Sequence, residues 1–237
     1  STKTPLLLFT SRGIAHTLKA YVLPEGAPSY KGRPVVNFIN LMPGETITNV
    51  IAMPREQEEL EALSLLFVTD FGHIRRNEAT DFAKVNKNGK IAMKLEENGQ
   101  SLGKLVKVLL GKNTDDVLIA TEKGQCCRFP IADLRVFNSR NSVGVRAIKL
   151  AKGDNVNDAS VVPNCPITVQ ERDAYKAGGT TTFTNGEGVE EVVTLSPERL
   201  AEMAAAEEFL LTVSGNGYCK RSSAYEYRTT ARGGIGA

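Results

Sequence analysis

The amino-acid sequence predicts an all-β fold, a partial propeller-like array of about three repeated four-stranded blades plus the start of another, with one short helical insertion. Three observations lead to this fold class. A short apolar strand that ends on a glycine recurs four times, further apolar runs lie between the copies, and turn residues separate all of these runs. Repeats of roughly 40 to 50 residues with four short strands are typical of propeller blades.

The four copies consist of β-favouring aliphatic residues followed by a tight turn. They read PLLLFTSRG (5–13), SLLFVTDFG (64–72), DVLIATEKG (116–124) and EFLLTVSGNG (208–217). Glycine at the end of each turn tolerates a positive φ that strains other residues. We therefore predict a hairpin at each copy.

A polar loop, a second glycine and another apolar strand follow each copy. These second halves are KGRPVVNFINL (31–41), NGKIAMKL (88–95), VGVRAIKL (143–150) and ARGGIGA (231–237). We take Gly32, Gly89, Gly144 and Gly234 as equivalent, because they follow the first glycines by 19, 17, 20 and 17 residues. A further strand is predicted in ETITNVIAM (45–53), SLGKLVKVLL (101–110) and DNVNDASVV (154–162).

The repeats predict a single domain over residues 1–237. Its blade-like units lie near residues 5–54, 64–111, 116–162 and 208–237, with an acidic insertion at 163–207. Because the last unit stops in mid-strand, we expect the chain to be a piece of a longer protein.

Two segments interrupt the period. The charged connector at 55–64 fits a short helix or a solvated loop equally well. In the insertion, the Gly-Thr-rich stretch 178–188 is expected to be flexible, whereas Ser196 and Pro197 predict a helix start.

Composition argues against several classes of protein. The chain is 41% hydrophobic over 237 residues, enough for a sizeable core, yet no apolar run approaches the roughly 20 residues that span a bilayer. The N-terminus shows no signal-peptide pattern. The four cysteines show no metal-ligand spacing. We expect a soluble, cytoplasmic protein with reduced thiols.

No enzyme motif is found in the sequence. The two histidines, His16 and His73, lie beside turns and outside any known catalytic pattern, so we expect solvated turn residues. The pair Asp115 and Asp116 is interpreted as a turn initiator. We therefore expect no catalytic residue, no metal site and no cofactor in this chain.

Positive charge recurs at equivalent places of the repeats. The net charge is +2, but residues 163–208 hold 3 basic and 9 acidic side chains, which leaves +8 for the rest. Stacked repeats would align the recurring cations along one rim, as binding to duplex phosphates requires. The candidate DNA-binding residues are Arg12, Lys19, Lys31, Arg33, Arg75, Arg76, Lys87, Lys90, Arg128, Arg140, Arg146, Lys220, Arg221, Arg228 and Arg232. For any single one of them, a role in solubility alone stays open.

These motifs resemble one known family, the C-terminal DNA-wrapping domain (β-pinwheel) of the DNA gyrase A subunit. The resemblance is carried by LLLFTSRG, FVTDFGHIRRN with NGKIAMKL, LIATEKGQCCRFP with SRNSVGVRAIKL, and NGYCKRSSAYEYRTT. It implies a six-bladed propeller whose blades exchange a strand and whose outer edge binds double-stranded DNA without sequence preference.

The resemblance also implies partners and a role. The chain would support DNA supercoiling together with the remainder of the gyrase A subunit, and with the gyrase B subunit, in a bacterial enzyme that uses ATP and Mg elsewhere. The family's signature heptapeptide, Gln-Arg-Arg-Gly-Gly-Lys/Arg-Gly, is absent, and residues 231–236 only echo it. The fragment would then bind DNA without imposing a positive wrap.

Two alternatives remain open at this point. The C-terminal domain of the topoisomerase IV A subunit resembles the same fold with degenerate motifs. A propeller serving as a protein-interaction scaffold would instead expose an apolar or aromatic patch, and the sparse aromatic residues argue against it. The acidic insertion would either bind a partner or cover the basic rim as a mimic of DNA.

Overall fold

The computed structural model describes residues 2–86, 88–138 and 142–236. The chain forms two compact units, one comprising residues 1–161 and 230–237 and the other residues 162–229. The single-domain organisation that the repeats predict stays a prediction. The candidates Lys87 and Arg140 lie outside the described residues.

The first unit consists of short strands, one turn of α-helix and several 3-10 turns. Its strands and helix are β1 (Pro5–Thr10), β2 (Ile14–Lys19), β3 (Ile47–Ala52), α1 (Gln57–Glu61), β4 (Leu63–Thr69), β5 (His73–Glu78), β6 (Lys90–Ile91), β7 (Glu96–Glu97), β8 (Gln100–Ser101), β9 (Leu105–Lys112), β10 (Asp115–Thr121), β11 (Cys126–Pro130), β12 (Val145–Arg146) and β13 (Val156–Pro163). Its 3-10 turns are Ala20–Val22, Val35–Asn37, Ala79–Phe82 and Ile131–Asp133.

These strands form three larger sheets and the small hairpin β7–β8. The first sheet has the order β3-β1-β2-β6, the second β9-β4-β5-β12 and the third β13-β10-β11. The apolar strand that opens each repeat therefore lies inside its sheet, and the predicted third strands are present as β3, β9 and β13. The propeller-like all-β fold class is confirmed.

The fourth strand of the first and second sheets comes from the following repeat. Strand β6 pairs with β2 through Ile14 and Ile91, and β12 pairs with β5 through Ile74 and Val145. A sheet thus differs from a sequence unit, because residues near 88–95 and 143–150 complete the sheet of the preceding repeat. This is the strand exchange that the resemblance implied.

Glycine is required where the exchanged segment crosses the preceding sheet. Gly144 has φ +84°, and a Cβ there would lie 2.4 Å from the carbonyl oxygen of Ile74. Gly236 has φ +82°, and its Cβ would lie 2.8 Å from the carbonyl oxygen of Cys126, the same repeat position as Ile74. Gly236 is therefore the equivalent of Gly144. The sequence-based choice of Gly234 is wrong, because repeated glycines near the chain end made the register ambiguous.

Two apolar cores fill the spaces between successive sheets. Strand β4 serves both, since Leu65 and Phe67 point into one core while Leu66 and Val68 point into the other. In the first core, the Phe9 and Phe67 rings meet edge to face with centroids 5.6 Å apart. A strand buried on both faces explains why its sequence is continuously apolar.

Two segments outside the sheets differ in how well they were predicted. Of the two alternatives for 55–64, the helix is observed, because α1 buries Leu60 in the first core. The strand predicted within 31–41 is wrong, since the described structure has only the turn Val35–Asn37 there and Val36 is exposed. No strand pairs with this segment in the described ranges, and an unpaired strand leaves its backbone polar groups unsatisfied.

The second unit combines two helices with two hairpins. Its elements are α2 (Val169–Lys176), β14 (Thr180–Thr184), β15 (Glu190–Thr194), α3 (Pro197–Ala206), β16 (Phe209–Val213) and β17 (Cys219–Ser223). Strand β14 pairs with β15, and β16 with β17. The expected flexible stretch 178–188 is instead largely part of the β14–β15 hairpin, because β-branched threonines favour strand.

Helix caps explain where the two helices begin. The predicted start of α3 is confirmed, since the Ser196 hydroxyl accepts a hydrogen bond from the Arg199 amide at 3.1 Å. The sequence analysis missed α2, although Thr168 and Glu171 form a reciprocal capping box. The described residues contain no helix long and apolar enough to cross a membrane.

We predict that Gly144→Ala destabilises the protein more than Gly124→Ala. Both glycines have φ near +85°, but a Cβ at Gly124 meets nothing within 4 Å, whereas at Gly144 it meets the Ile74 carbonyl. The backbone conformation alone costs about 1 kcal/mol, and the clash should add about 2 kcal/mol or more at Gly144. Chemical denaturation measures both variants, and equal losses would contradict the close approach of the exchanged segment.

Candidate nucleic-acid interface

The described candidate residues divide by burial into two groups. Arg75, Arg76 and Arg128 are buried, and Lys90 is half-buried. The exposed candidates are Arg12, Lys19, Lys31, Arg33, Arg146, Lys220, Arg221, Arg228 and Arg232. Only exposed cations can reach phosphate without a rearrangement of the sheets.

Arg75 holds the exchanged segment against the second sheet. Its side chain is 1% exposed, with Nε donating to Asn77 Oδ1 at 2.8 Å and Nη1 donating to the Ser142 carbonyl at 2.7 Å. The Asn77 amide in turn donates to the Phe137 carbonyl at 2.7 Å. Burial lowers the pKa of Arg75, and the charge of Asp81 opposes this shift.

Arg76 connects the second sheet to the repeat that forms the third. Its Nε donates to Ser64 Oγ at 3.0 Å, and its Nη1 donates to the carbonyls of Ile131 and Leu134 at 3.0 and 3.2 Å. Burial lowers the pKa of this guanidinium, and Glu78 opposes this shift. All three of these acceptors are neutral.

Arg128 forms a buried ion pair within the third sheet. Its Nε lies 2.7 Å from Asp116 Oδ2, and the two side chains are 5% and 1% exposed. Asp116 is thus a buried charge partner, whereas Asp115 accepts a hydrogen bond from the Lys112 amide, as expected of a turn initiator.

These contacts correct the expectation that Arg75, Arg76 and Arg128 face DNA. A buried cation whose donors are engaged by protein acceptors supports the fold instead of a phosphate. Lys90 is similar, since its Nζ donates to the Asp81 carbonyl and lies 4.7 Å from the centre of the Phe82 ring.

Four exposed cations lie on or beside the segments that cross between successive sheets. We call Lys94, Arg146, Lys149 and Arg232 the outer-strand cations, and all four are exposed. Arg232 Nη1 donates to the Arg146 carbonyl at 2.7 Å, and the Lys149 amide donates to the Gly234 carbonyl at 2.8 Å. Three of these cations therefore lie on neighbouring stretches of backbone at one edge of the first unit.

Sequence analysis missed two of the outer-strand cations. Lys94 and Lys149 each lie five residues after the crossing glycine of their repeat, Gly89 and Gly144. That equal spacing was the available signal, and it was overlooked because both lysines follow the apolar residues of the strand instead of the turn.

The second unit presents its candidates on and just after the hairpin β16–β17. The guanidinium of Arg221 lies 3.4 Å from the centre of the Phe209 ring, and Lys220 Nζ lies 3.9 Å from a Glu226 carboxylate oxygen. The same hairpin exposes Leu211 and Tyr218, which are 68% and 80% exposed. The scarcity of aromatic residues in the sequence therefore does not keep the large apolar side chains of this hairpin from being exposed.

The two histidines lie beside turns but are buried or half-buried. Contrary to expectation, His16 is buried, 5% exposed, rather than solvated. Burial and the nearby Arg146 lower the pKa of His73, against a smaller effect of Glu97. The described ranges hold no group of three or more His, Cys, Asp or Glu arranged to hold a metal ion.

Comparison with solved structures identifies the fold. The chain superposes over its whole length on 58% of the C-terminal domain of DNA topoisomerase IV, with a TM-score of 0.68 and 18% identity. It superposes on 60% of a DNA gyrase A C-terminal domain with a TM-score of 0.65 and 23% identity. At these identities the likeness concerns the fold alone.

Sequence comparison is more specific. The DNA gyrase A subunit of Rickettsia prowazekii is 43% identical over 242 residues, which cover the whole chain and 26% of that protein. The DNA gyrase A subunit of Staphylococcus epidermidis is 31% identical over the whole chain and 21% of its own length. The chain spans about a quarter of the length of the curated relatives it matches.

The family profile of the DNA gyrase C-terminal domain, a beta-propeller, matches residues 64–109, 115–163 and 208–236. These ranges hold the second and third repeats and the hairpin β16–β17, and they make up more than half of the chain. The chain therefore belongs to the DNA gyrase C-terminal domain family.

Proposed function

We propose that this chain binds double-stranded DNA through phosphate contacts and bends it, as part of the A subunit of a DNA gyrase. The carrying observation is the position of the outer-strand cations, which are exposed on or beside the segments that cross between successive sheets, with Arg146 on β12 itself. Cations repeated in this way meet a duplex backbone without contacting base edges. Membership in the gyrase C-terminal domain family supports the same partner.

The remaining parts of the proposal follow from the relatives. DNA cleavage, ATP and Mg would belong to the rest of the gyrase A subunit or to the gyrase B subunit, and this chain would contribute no catalytic group and no cofactor site. The holoenzyme would be an ATP-dependent type II topoisomerase that acts on DNA in the bacterial cytoplasm. Because residues 231–236 only echo the signature heptapeptide, the chain would bind DNA without imposing a positive wrap.

The test of DNA binding is the salt dependence of affinity for a linear duplex. The logarithm of the association constant should fall with the logarithm of salt concentration with a slope of about −0.9 per neutralised phosphate. A random-sequence duplex should bind as well as any chosen sequence. An affinity that does not respond to salt, or that depends strongly on sequence, would contradict the proposal.

We predict that removing outer-strand cations reduces this slope. Alanine at Arg146, Lys149 and Arg232 should each weaken binding at low salt and reduce the slope by about 1 when the residue contacts phosphate. Lys112 is a matched control, because it is exposed on β9, at the edge of the second sheet opposite β12. If Lys112→Ala weakens binding as much as Arg146→Ala, the DNA does not follow the exchanged strands.

Buried and exposed arginines should differ in their effect on folding. Arg128→Ala leaves Asp116 buried without its charge partner, which should cost about 3–5 kcal/mol of unfolding free energy. Arg146→Ala changes an exposed side chain and should stay within about 0.5 kcal/mol. Urea denaturation measures both.

A control separates lost charge pairing from lost packing at the same site. Replacing both partners by apolar residues, Arg128→Met with Asp116→Leu, should restore much of the stability that Arg128→Ala loses. Equal stability of Arg128→Ala and Arg146→Ala would show that the buried pair does not support the fold.

A further inference from the structure

The junction between the second and third sheets contains a hydrogen-bonded arginine at a repeat position where the first repeat has a threonine. Arg76, four residues after Gly72, donates to Ser64 on its own sheet and to Ile131 and Leu134 of the next repeat. We call this side chain with its three acceptors the Arg76 anchor. The backbone reinforces it, because the Phe137 amide donates to the Arg76 carbonyl at 2.9 Å.

The equivalent position in the first repeat is Thr17, four residues after Gly13. A threonine side chain is too short to span the same gap, and a cleft of about 410 Å³ lies there. Pro5, Thr17 and Phe82 line this cleft, and they are the repeat equivalents of Ser64, Arg76 and Leu134. The first repeat therefore has no arginine at the position of Arg76.

The geometry of the anchor suits a fixed angle between sheets. A guanidinium is planar and rigid, so bonds from its Nε to the second sheet and from its Nη1 to the turn after β11 define a direction as well as a distance. Lysine would keep the charge but present a single flexible ammonium group. Because the acceptors are buried, losing these bonds leaves two carbonyl oxygens without a donor, and water cannot readily take the place of the guanidinium.

The anchored segment also leads directly to a strand of the proposed DNA interface. Residues 131–137 follow β11 of the third sheet and precede β12, which returns to the second sheet with Arg146. A shift of the third sheet at this junction would therefore move the outer-strand cations relative to one another. Their spacing determines which phosphates of a bent duplex they can meet together.

We propose that Arg76 is a positioning residue that fixes the angle between the second and third sheets and thereby the bend of bound DNA, without contacting DNA itself. The part concerning DNA rests on the proposed function. The part concerning the angle does not, so a measurement on the protein alone separates the two.

The experiment compares the parent chain with Arg76→Lys, which keeps the positive charge and loses the fork of donors. A duplex of about 40 base pairs with a dye at each end reports bending by energy transfer, and a salt titration reports phosphate contacts. We expect the affinity of Arg76→Lys to stay within about twofold and its salt slope to be unchanged, while the energy transfer falls. A slope smaller by about 1 would overturn the proposal, because Arg76 would then contact phosphate.

The angle is measured without DNA. Spin labels at Phe71→Cys and Lys123→Cys occupy the same turn position in the second and third repeats, one residue before Gly72 and Gly124. Cys165 and Cys219 are replaced by serine in this background. Cys126 and Cys127 remain, because burial raises the pKa of both thiols, that of Cys127 to about 11, and so slows their labelling relative to an exposed cysteine.

In Arg76→Lys we expect a broader distribution of distances between the two labels than in the parent chain. An unchanged distribution would overturn the proposal. If the parent chain does not bind DNA at all, the proposed function fails, yet a broadened distribution would still support the anchor.

Two further variants guard against misfolding and against nonspecific loss of charge. Ser64→Ala removes one acceptor and leaves the cation in place, so it should broaden the distribution less than Arg76→Lys while the protein stays folded. Arg146→Ala should weaken DNA binding and leave the label distances unchanged. A broadening in Arg146→Ala as large as in Arg76→Lys would show that the effect is not specific to the anchor and would overturn the proposal.

Discussion

Pairing of strand edges is the constraint on which the described sheets depend. An edge strand leaves a row of backbone N–H and C=O groups without hydrogen-bond partners. In the first two sheets, one edge strand (β2 or β5) pairs with a strand that comes from the next repeat. The exchanged strand must cross the preceding sheet at van der Waals distance. Only glycine allows this approach at Gly144, where any Cβ would overlap the Ile74 carbonyl. The glycine in the sequence, the close crossing and the completion of the preceding sheet therefore depend on one another.

The same constraint explains where positive charge ends up. On β5 and β11, the second strands of the second and third sheets, the arginines are buried and hydrogen-bonded to internal acceptors, whereas the cations of β17 are exposed. Lys94, Arg146 and Lys149, on or beside the exchanged strands, are exposed, so their charge stays solvated at little cost, whereas Lys90 on β6 is half-buried. Arg76 and Arg146 belong to neighbouring repeat segments, yet one stabilises a junction and the other remains available to a polyanion.

Local signals in the sequence predicted most of the central strands, the glycine turns and the helix start at Ser196. Burial of Arg76 and Arg128 could not be predicted, because it depends on acceptors 12 to 58 residues away in the chain. The sequence near the chain end offers several glycines as the last crossing glycine, and only the close approach of Gly236 to the Cys126 carbonyl identifies it. By contrast, the capping box of Thr168 and Glu171 is recognisable from the sequence alone and was overlooked.

The exchange of strands also imposes an order on synthesis. Strand β6 leaves the ribosome after both β4 and β5, and β12 leaves after β10 and β11. The outer edge of β2 in the first sheet therefore stays unpaired while β4 and β5 of the second sheet are already able to pair with each other. The nascent chain can complete the first sheet only after β4 and β5 of the second sheet have been synthesised, and the second only after β10 and β11 of the third. Folding of successive sheets therefore overlaps in time.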